Sequence, residues 1–226
     1  MQIPLVIGRN SSGLSYSIDL SSLPHLFISY NEEDQLIKIF KELIQDIISV
    51  DNPTKMAISV SQRISAKLFP LVSAPFQIEF THSDPPGNAI TSIDYFIGAV
   101  LVELKTRKRR MGSLKKAKLL APALIVFMDD IFEVVMAKRK TALSFIELLV
   151  NGPDNSIHFI TGSSGMYKNL LDQLITMSPA VKKKMGDSKQ RGNINEPLAA
   201  QLIINPDGLV FFKGKCEKEF VKLYAI

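Results

Sequence analysis

The stretch HLFISYNEEDQLIKIFKELIQDII, residues 25–48, decides the fold, because its hydrophobic period changes within a few residues. HLFISY (25–30) is a short apolar run, which predicts a strand buried on both faces of a sheet. Beyond Asn31, which can cap a helix, apolar residues recur every three or four positions and predict an amphipathic helix. Those residues are Leu36, Ile37, Phe40, Leu43, Ile44, Ile47 and Ile48.

Strands and helices go on alternating along the chain. Further strands are predicted at 56–60, 123–128 and 156–161, and further helices at 89–110, 141–150 and 167–176. The segment 61–87 contains four prolines and is predicted to be irregular, and 178–198 is predicted to be a loop. This alternation predicts a mostly parallel sheet with helices on both faces, with ligands binding beyond the carboxyl ends of its strands.

The two ends of the chain consist of strand-like runs without intervening helices. Residues 3–8 and 14–20 are strand-like runs around a turn at 9–13, which predicts an opening β-hairpin. The closing runs LAAQLIIN, GLVFFKG and EFVKLYAI read as strands. With 226 residues and 46% apolar content, we expect one domain over 1–226, made of the hairpin (1–22) and an α/β core (23–226).

Composition argues against secretion, a membrane span and a metal centre. The start has no signal-like pattern, and the longest apolar run (119–128) is about half the roughly 20 residues that a spanning helix needs. Cys216 is the one cysteine, and His25, His82 and His158 lie far apart, so no zinc-ligand spacing exists. We therefore expect a cytoplasmic protein without a transmembrane segment or a metal site.

Positive charge is concentrated at the end of the second predicted helix. The net charge is +5, and further basic clusters lie at 138–140 and 182–184. Such clusters fit contact with a nucleic-acid backbone, but cations also stabilise a helix C-terminus and aid solubility whatever the function. The candidates for nucleic-acid contact are Lys105, Arg107, Lys108, Arg109, Arg110, Lys115 and Lys116.

Three segments in this order resemble the motor domain of the FtsK/SpoIIIE family of DNA-pumping ATPases. They are IPLVIGRNSSGLSYSIDLSSLPHLFIS (3–29), SIDYFIGAVLVELKTRKRRM (92–111) and APALIVFMDDIFEVVM (121–136). With SIHFITGSS (156–164) the resemblance covers roughly residues 3–165. It implies a P-loop NTPase-like fold, a ring-forming assembly, and a Walker B strand that ends in Asp129 and Asp130.

The resemblance fails where the phosphate-binding P-loop should lie. An active member has a glycine-rich loop there, with a Lys for the phosphates and a Ser or Thr for Mg²⁺. In this sequence Leu36 stands in the place of the Lys, Ile37 in the place of the Ser or Thr, and no glycine remains. Three acidic residues, 32–34, would face the phosphates, although they suit a helix N-terminus. We therefore expect no bound ATP or Mg²⁺.

The other catalytic positions also depart from the family pattern. Asp129 takes the place of the Mg²⁺-binding Asp, and Asp130 replaces the catalytic Glu with a side chain one methylene shorter. Ser164 stands where the family has a phosphate-sensing Gln. We interpret Asp129 and Asp130 as a Walker B remnant with a vestigial or capping role. The stretch TGSSG (161–165) is interpreted as a strand-to-helix turn, with anion binding by its amides as the alternative.

The sequence thus predicts a catalytically degenerate subunit, structural or regulatory, of a DNA or protein translocation machine. Its partners would be double-stranded DNA, an active FtsK-like ATPase, or further copies in a ring. One alternative is a working ATPase with altered nucleotide contacts, in which Asp129 holds Mg²⁺. Another is a DNA-binding module that needs no nucleotide and whose binding weakens steeply with salt.

Overall fold

The computed structural model describes residues 4–20, 25–49, 55–61, 64, 67–68, 77–82, 89–113, 122–164, 200–205, 209–213 and 221–224. Their strands are β1 (Pro4–Arg9), β2 (Ser15–Asp19), β3 (Leu26–Tyr30), β4 (Lys55–Ser61), β5 (Gln77–His82), β6 (Leu124–Met128), β7 (Ile157–Ser164), β8 (Ala200–Ile204), β9 (Leu209–Lys213) and β10 (Val221–Tyr224). Their helices are α1 (Glu33–Ser49), α2 (Ala89–Ser113), α3 (Phe132–Met136) and α4 (Arg139–Asn151), with a 3-10 turn at Pro153–Asn155.

All strands of the described residues belong to one ten-stranded sheet, in the order β2-β1-β10-β9-β8-β3-β7-β6-β4-β5. Parallel pairings join β8, β3, β7, β6, β4 and β5. Antiparallel pairings join the rest, including the hairpin of β1 and β2. The predicted α/β class, with a mostly parallel sheet and an N-terminal hairpin, is confirmed.

Hydrophobic cores lie on both faces of the sheet, and β6 shows why. All five residues of this strand are buried. Ile125 and Phe127 belong to the core that α1 covers, whereas Leu124 and Val126 belong to the core that α2 and α4 cover. Because side chains alternate along a strand, a continuous apolar run of this kind requires a cover on each face.

One secondary-structure prediction was wrong: the segment 61–87 is not irregular throughout. β5 (Gln77–His82) pairs in parallel with β4, from Met56 opposite Gln77 to Ser61 opposite His82. The four prolines of the segment all lie outside β5, so none of them removes a backbone donor from the ladder. Prolines that flank a strand do not prevent the residues between them from pairing.

The interpretation of 161–164 as a turn was also wrong, because β7 runs through to Ser164. Its last residues pair in parallel with β3, with Phe27 opposite Thr161 and Tyr30 opposite Ser164. The amides of this stretch therefore lie in a central strand rather than in a loop. The predicted helix at 167–176 and loop at 178–198 lie outside the described residues.

His25 ties the start of β3 to two other elements. Its ring Nε2 donates to the Leu149 carbonyl (2.8 Å), at the end of α4, and its Nδ1 accepts from the Phe159 N–H (3.0 Å), in β7. Both bonds require the neutral ring with the proton on Nε2. Burial lowers the pKa of His25 to about 3, and the Leu149 carbonyl only partly offsets this shift. His25 is a structural residue that stays uncharged at neutral pH.

This burial predicts that the protein loses stability in mild acid. The unfolded chain protonates His25 near its ordinary pKa of 6.5, but the folded chain does so only near 3. The free energy of unfolding should therefore fall as the pH drops through that window, with His25 contributing up to about 1.4 kcal/mol per pH unit. Urea unfolding of the wild type and of His25→Gln at pH 7 and pH 5 checks this. An equally steep loss in the variant would contradict the prediction.

Two glycines in opposite surroundings give a second prediction. Among the described residues, a Cβ on Gly98, in α2, would meet nothing within 4 Å, whereas one on Gly162, in β7, would overlap the Asp129 carbonyl oxygen. Gly98→Ala should therefore raise the free energy of unfolding by about 0.5–1 kcal/mol, because alanine is the better helix former. Gly162→Ala should lower it by about 1–3 kcal/mol through overpacking. Chemical denaturation of both variants measures the difference, and changes of the same sign would refute the packing described.

Candidate site at the carboxyl edge of the parallel sheet

The position of the candidate site follows from the strand order. β3 lies between β7 and β8. After β3 the chain continues to β4 on the β7 side of the sheet, and after β7 it crosses to β8 on the other side of β3, so the direction of the connections reverses here. In open α/β sheets, ligands bind beyond the carboxyl ends of the strands at such a reversal. Tyr30 ends β3, Met128 ends β6 and Ser164 ends β7. Asp129 and Asp130 follow β6 directly, so the structure brings the predicted Walker B remnant to this edge.

The connection from β3 to α1 is very short. Only Asn31 and Glu32 separate the strand from the helix. A P-loop uses about eight residues, including two glycines, to wrap its amides around the phosphates. No loop of that length exists between these two elements.

Protein groups already bond the amides of this connection. Gln35 Oε1 accepts from the N–H groups of Asn31 and Glu32 (3.3 Å each), so Gln35 acts as the cap that the sequence assigned to Asn31. The Asn31 side chain instead donates to the Ile204 carbonyl (3.2 Å), and Gln35 Nε2 donates to the Asn205 carbonyl (3.1 Å). These bonds hold the start of α1 against the end of β8.

Apolar and aromatic side chains fill the space behind the connection. Leu36 and Ile37 are buried in the core that α1 covers. A Cβ on Gly162 would lie 2.9 Å from both Leu36 Cδ2 and Tyr30 Cε1, so these side chains pack directly on the β7 backbone. Leu36, at the position of the expected Lys, therefore points into the core and not toward solvent beyond the sheet.

Carboxylates surround Tyr30 at the same edge. The Tyr30 hydroxyl donates to the Asp129 carbonyl (3.4 Å). Burial first, and then the carboxylates of Asp130, Asp129, Glu33 and Glu133, raise the pKa of Tyr30 far above its ordinary value. A group of negative charges close enough to affect one hydroxyl would also repel the phosphates of a nucleotide.

Asp130 has a visible structural role. Its Oδ1 accepts from the Phe132 N–H (2.8 Å), the first amide of α3. Burial raises the pKa of Asp130, the bond from Phe132 opposes this shift, and neighbouring Asp129 adds to it. The bond closes a local turn ahead of α3, whose N-cap position is Ile131 and carries no side-chain capping bond. Within the described residues, no group of three or more His, Cys, Asp or Glu side chains is placed to hold a metal ion.

One of the basic candidates on α2, Arg107, does not lie at the surface. Arg107 is only 5% exposed. Its Nε donates to Glu103 (2.8 Å), and its Nη1 donates to the carbonyls of Asn155 (3.0 Å) and Ser156 (3.1 Å). Arg107 therefore holds Asn155 and Ser156, the residues directly before β7, and its guanidinium group is not exposed to a ligand.

The other described candidates on α2 are exposed, unlike Arg107. Lys105, Lys108, Arg109 and Arg110 are exposed, as are Lys138, Arg139 and Lys140. Lys108 Nζ lies 3.9 Å from Glu147 Oε1. Lys115, Lys116 and residues 182–184 lie outside the described residues.

Replacing Arg107 tests its structural role. Arg107→Met should lower the free energy of unfolding by about 1–3 kcal/mol, because two buried carbonyl groups lose their donor. The matched variant Arg109→Met, on the exposed side of the same helix, should change it by less than about 0.5 kcal/mol. Denaturant unfolding measures the free energy of unfolding of both variants. Equal losses would show that the hydrogen bonds of Arg107 do not stabilise the fold.

Sequence reasoning missed the residues that shape this edge. The local sequence predicts only a strand end at Tyr30 and assigns no role to Gln35. Glutamine near the start of a helix is a recognised capping signal, so Gln35 could have been found from the sequence. The packing of Tyr30 on Gly162 joins residues far apart in the chain and has no local signal.

Solved structures share this architecture. EccC from Thermomonospora curvata (ATPases 2 and 3, in complex with a signal sequence peptide) matches with a TM-score of 0.67 and 15% identity, over 99% of this chain and 40% of that one. EssC (ATPases 2 and 3) from Geobacillus thermodenitrificans matches with 0.63 and 15%, over 99% and 44%. The pCW3 conjugation coupling protein TcpA, in a monomer form with ATPγS, matches with 0.63 and 11%, over 100% and 66%.

These likenesses define the fold as that of P-loop ATPase domains. The chain spans less than half the length of the EccC and EssC chains that it matches. No protein-family model matches the chain, and no curated protein matches it. Of the helices in the described ranges, none is long and apolar enough to cross a bilayer.

Proposed function

We propose that this chain is a catalytically degenerate P-loop-fold domain that serves as a structural or regulatory subunit of a translocation machine. One observation carries the proposal, namely the connection of two residues between β3 and α1. The backbone there is too short to surround a triphosphate, and the Gln35 side chain already bonds its amides. Without that cradle, Mg²⁺-ATP has no site at this edge.

The other observations support the same proposal. Leu36 and Ile37 are buried, so neither side chain can take over phosphate or Mg²⁺ binding. Asp129 and Asp130 lie where a Walker B pair would lie, but Asp130 Oδ1 accepts a bond from the first amide of α3. The carboxylates around Tyr30 would lie close to the phosphates of a bound nucleotide, and the repulsion between these negative charges would weaken binding. We infer that the residues of this edge do not fit Mg²⁺-ATP.

The fold neighbours suggest the setting of this function. Proteins with this architecture include a secretion ATPase from Thermomonospora curvata and a conjugation coupling protein. We propose that this chain works beside an active ATPase of that kind and contributes contacts rather than hydrolysis. The cargo, DNA or protein, belongs to the machine and not to this edge of the sheet.

Calorimetric titration with Mg²⁺-ATP tests the proposal. The purified chain should show no binding at about 1 mM nucleotide, which places any dissociation constant above the millimolar range. Asp129→Asn is the matched control, because it removes the carboxylate that would hold Mg²⁺ while keeping the side-chain size. Binding that Asp129→Asn abolishes would overturn the proposal and identify a working nucleotide site with altered contacts.

A further inference from the structure

An exposed row of residues runs along the outer side of α2. Tyr95 is 68% exposed and Val102 is 64% exposed, so both large side chains lie in solvent. They are seven positions apart, which places them two turns apart on the same face. Lys105 and Arg109 continue this face and are also exposed. We call Tyr95, Gly98, Val102, Lys105 and Arg109 the outer face of α2.

Gly98 makes a notch between the two apolar residues. Among the residues that the structure describes, a Cβ there would meet nothing within 4 Å, so their packing does not require a glycine. Glycine inside a helix is less stable than alanine, and nothing in the described fold compensates for this loss of stability. An outward glycine does permit the backbone of another helix to approach closely.

The surroundings of this face are positively charged. The acids of α2 and α4 that the structure describes are Asp94, Glu103 and Glu147, and each lies near a cation. Lys138 Nζ is 3.3 Å from Asp94, Arg107 Nε is 2.8 Å from Glu103, and Lys108 Nζ is 3.9 Å from Glu147. Exposed Lys105, Arg109, Arg139 and Lys140 remain in excess over these pairs.

A third exposed apolar residue lies near the same end of α2. Met136, which ends α3, is 61% exposed. Lys138 follows it by two residues and reaches Asp94, the neighbour of Tyr95, whose carboxylate also accepts from the Thr141 hydroxyl. These contacts fix the end of α3 beside the first part of the outer face. Grouped exposed apolar residues with a polar rim are typical of protein-binding surfaces.

We propose that the outer face of α2 binds an amphipathic helix that carries acidic residues on a protein partner. Tyr95 and Val102 would contact its apolar stripe across the Gly98 notch, as in other helix-to-helix recognition. Lys105 and Arg109 would meet its carboxylates, which gives specificity and a faster association rate.

Other occupants fit this face less well. A second copy of the same face would bring like charges together. Nucleic acid would contact the cations through its phosphates. Such binding would not use Tyr95, Gly98 or Val102. A membrane surface would need a broader apolar face than these side chains provide. The proposal does not depend on the loss of nucleotide binding.

Fluorescence anisotropy with designed peptides tests the proposal on the full chain. The probe is a labelled helical peptide of about 20 residues with a leucine stripe at three- and four-residue spacing and glutamates elsewhere. The matched peptide carries lysine in place of every glutamate. The acidic peptide should bind, and the basic one should bind at least about tenfold more weakly because the face is positive.

Variants of the chain assign the binding to this face. Tyr95→Gln and Val102→Gln should each weaken binding of the acidic peptide by at least about fivefold, as expected for central apolar contacts. Ile48→Gln, at an exposed apolar position on α1, is the control and should leave binding unchanged. Circular dichroism confirms that each variant is folded.

Any of several results would overturn the proposal. These are no binding of the acidic peptide, equal binding of the two peptides, or unchanged binding by the Tyr95 and Val102 variants. Duplex DNA or phosphatidylserine vesicles that bind the wild type but not these two variants would assign the face to nucleic acid or membrane instead.

Discussion

The short connection between β3 and α1 constrains the rest of this structure. With only Asn31 and Glu32 between them, α1 must start almost directly above the end of β3. Gln35 fixes that start by bonding the connection on one side and the end of β8 on the other. As a result, the first turn of α1 packs directly against the sheet, with Leu36 on Gly162 of β7. A longer, glycine-rich loop would lift the helix away and open the space that these side chains occupy.

Charged side chains of opposite sign lie in two separate regions of the described residues. At the carboxyl edge, carboxylates gather around a buried Tyr30 and make the place unfavourable for a polyanion. On α2, cations exceed acids, but buried Arg107 serves the fold and leaves a smaller set at the surface. A domain with the fold of P-loop ATPases can thus be acidic where nucleotides are usually held and basic on a helix far along the chain.

Part of the candidate site was predictable because its signals are local. The absence of glycine, and of a Lys and Ser or Thr at 36 and 37, can be read from consecutive residues. The bond that Asp130 accepts is also local, since its donor is the Phe132 N–H two residues on. Arg107 could not be distinguished from Arg109 by composition. Its burial depends on the connection between α4 and β7, which lies about fifty residues later in the chain.

The sequence by itself determined the alternation of strands and helices, the hairpin, and the absence of a P-loop motif at residues 29–37, because hydrophobic period, turn chemistry and short motifs involve only neighbouring positions. Only the tertiary structure decided that β5 joins the sheet, that β7 extends through Ser164, and that Tyr30 and Leu36 fill the carboxyl edge. Those features arise from pairing and packing between residues that are distant in the chain. A local sequence pattern does not indicate how favourable such long-range contacts are.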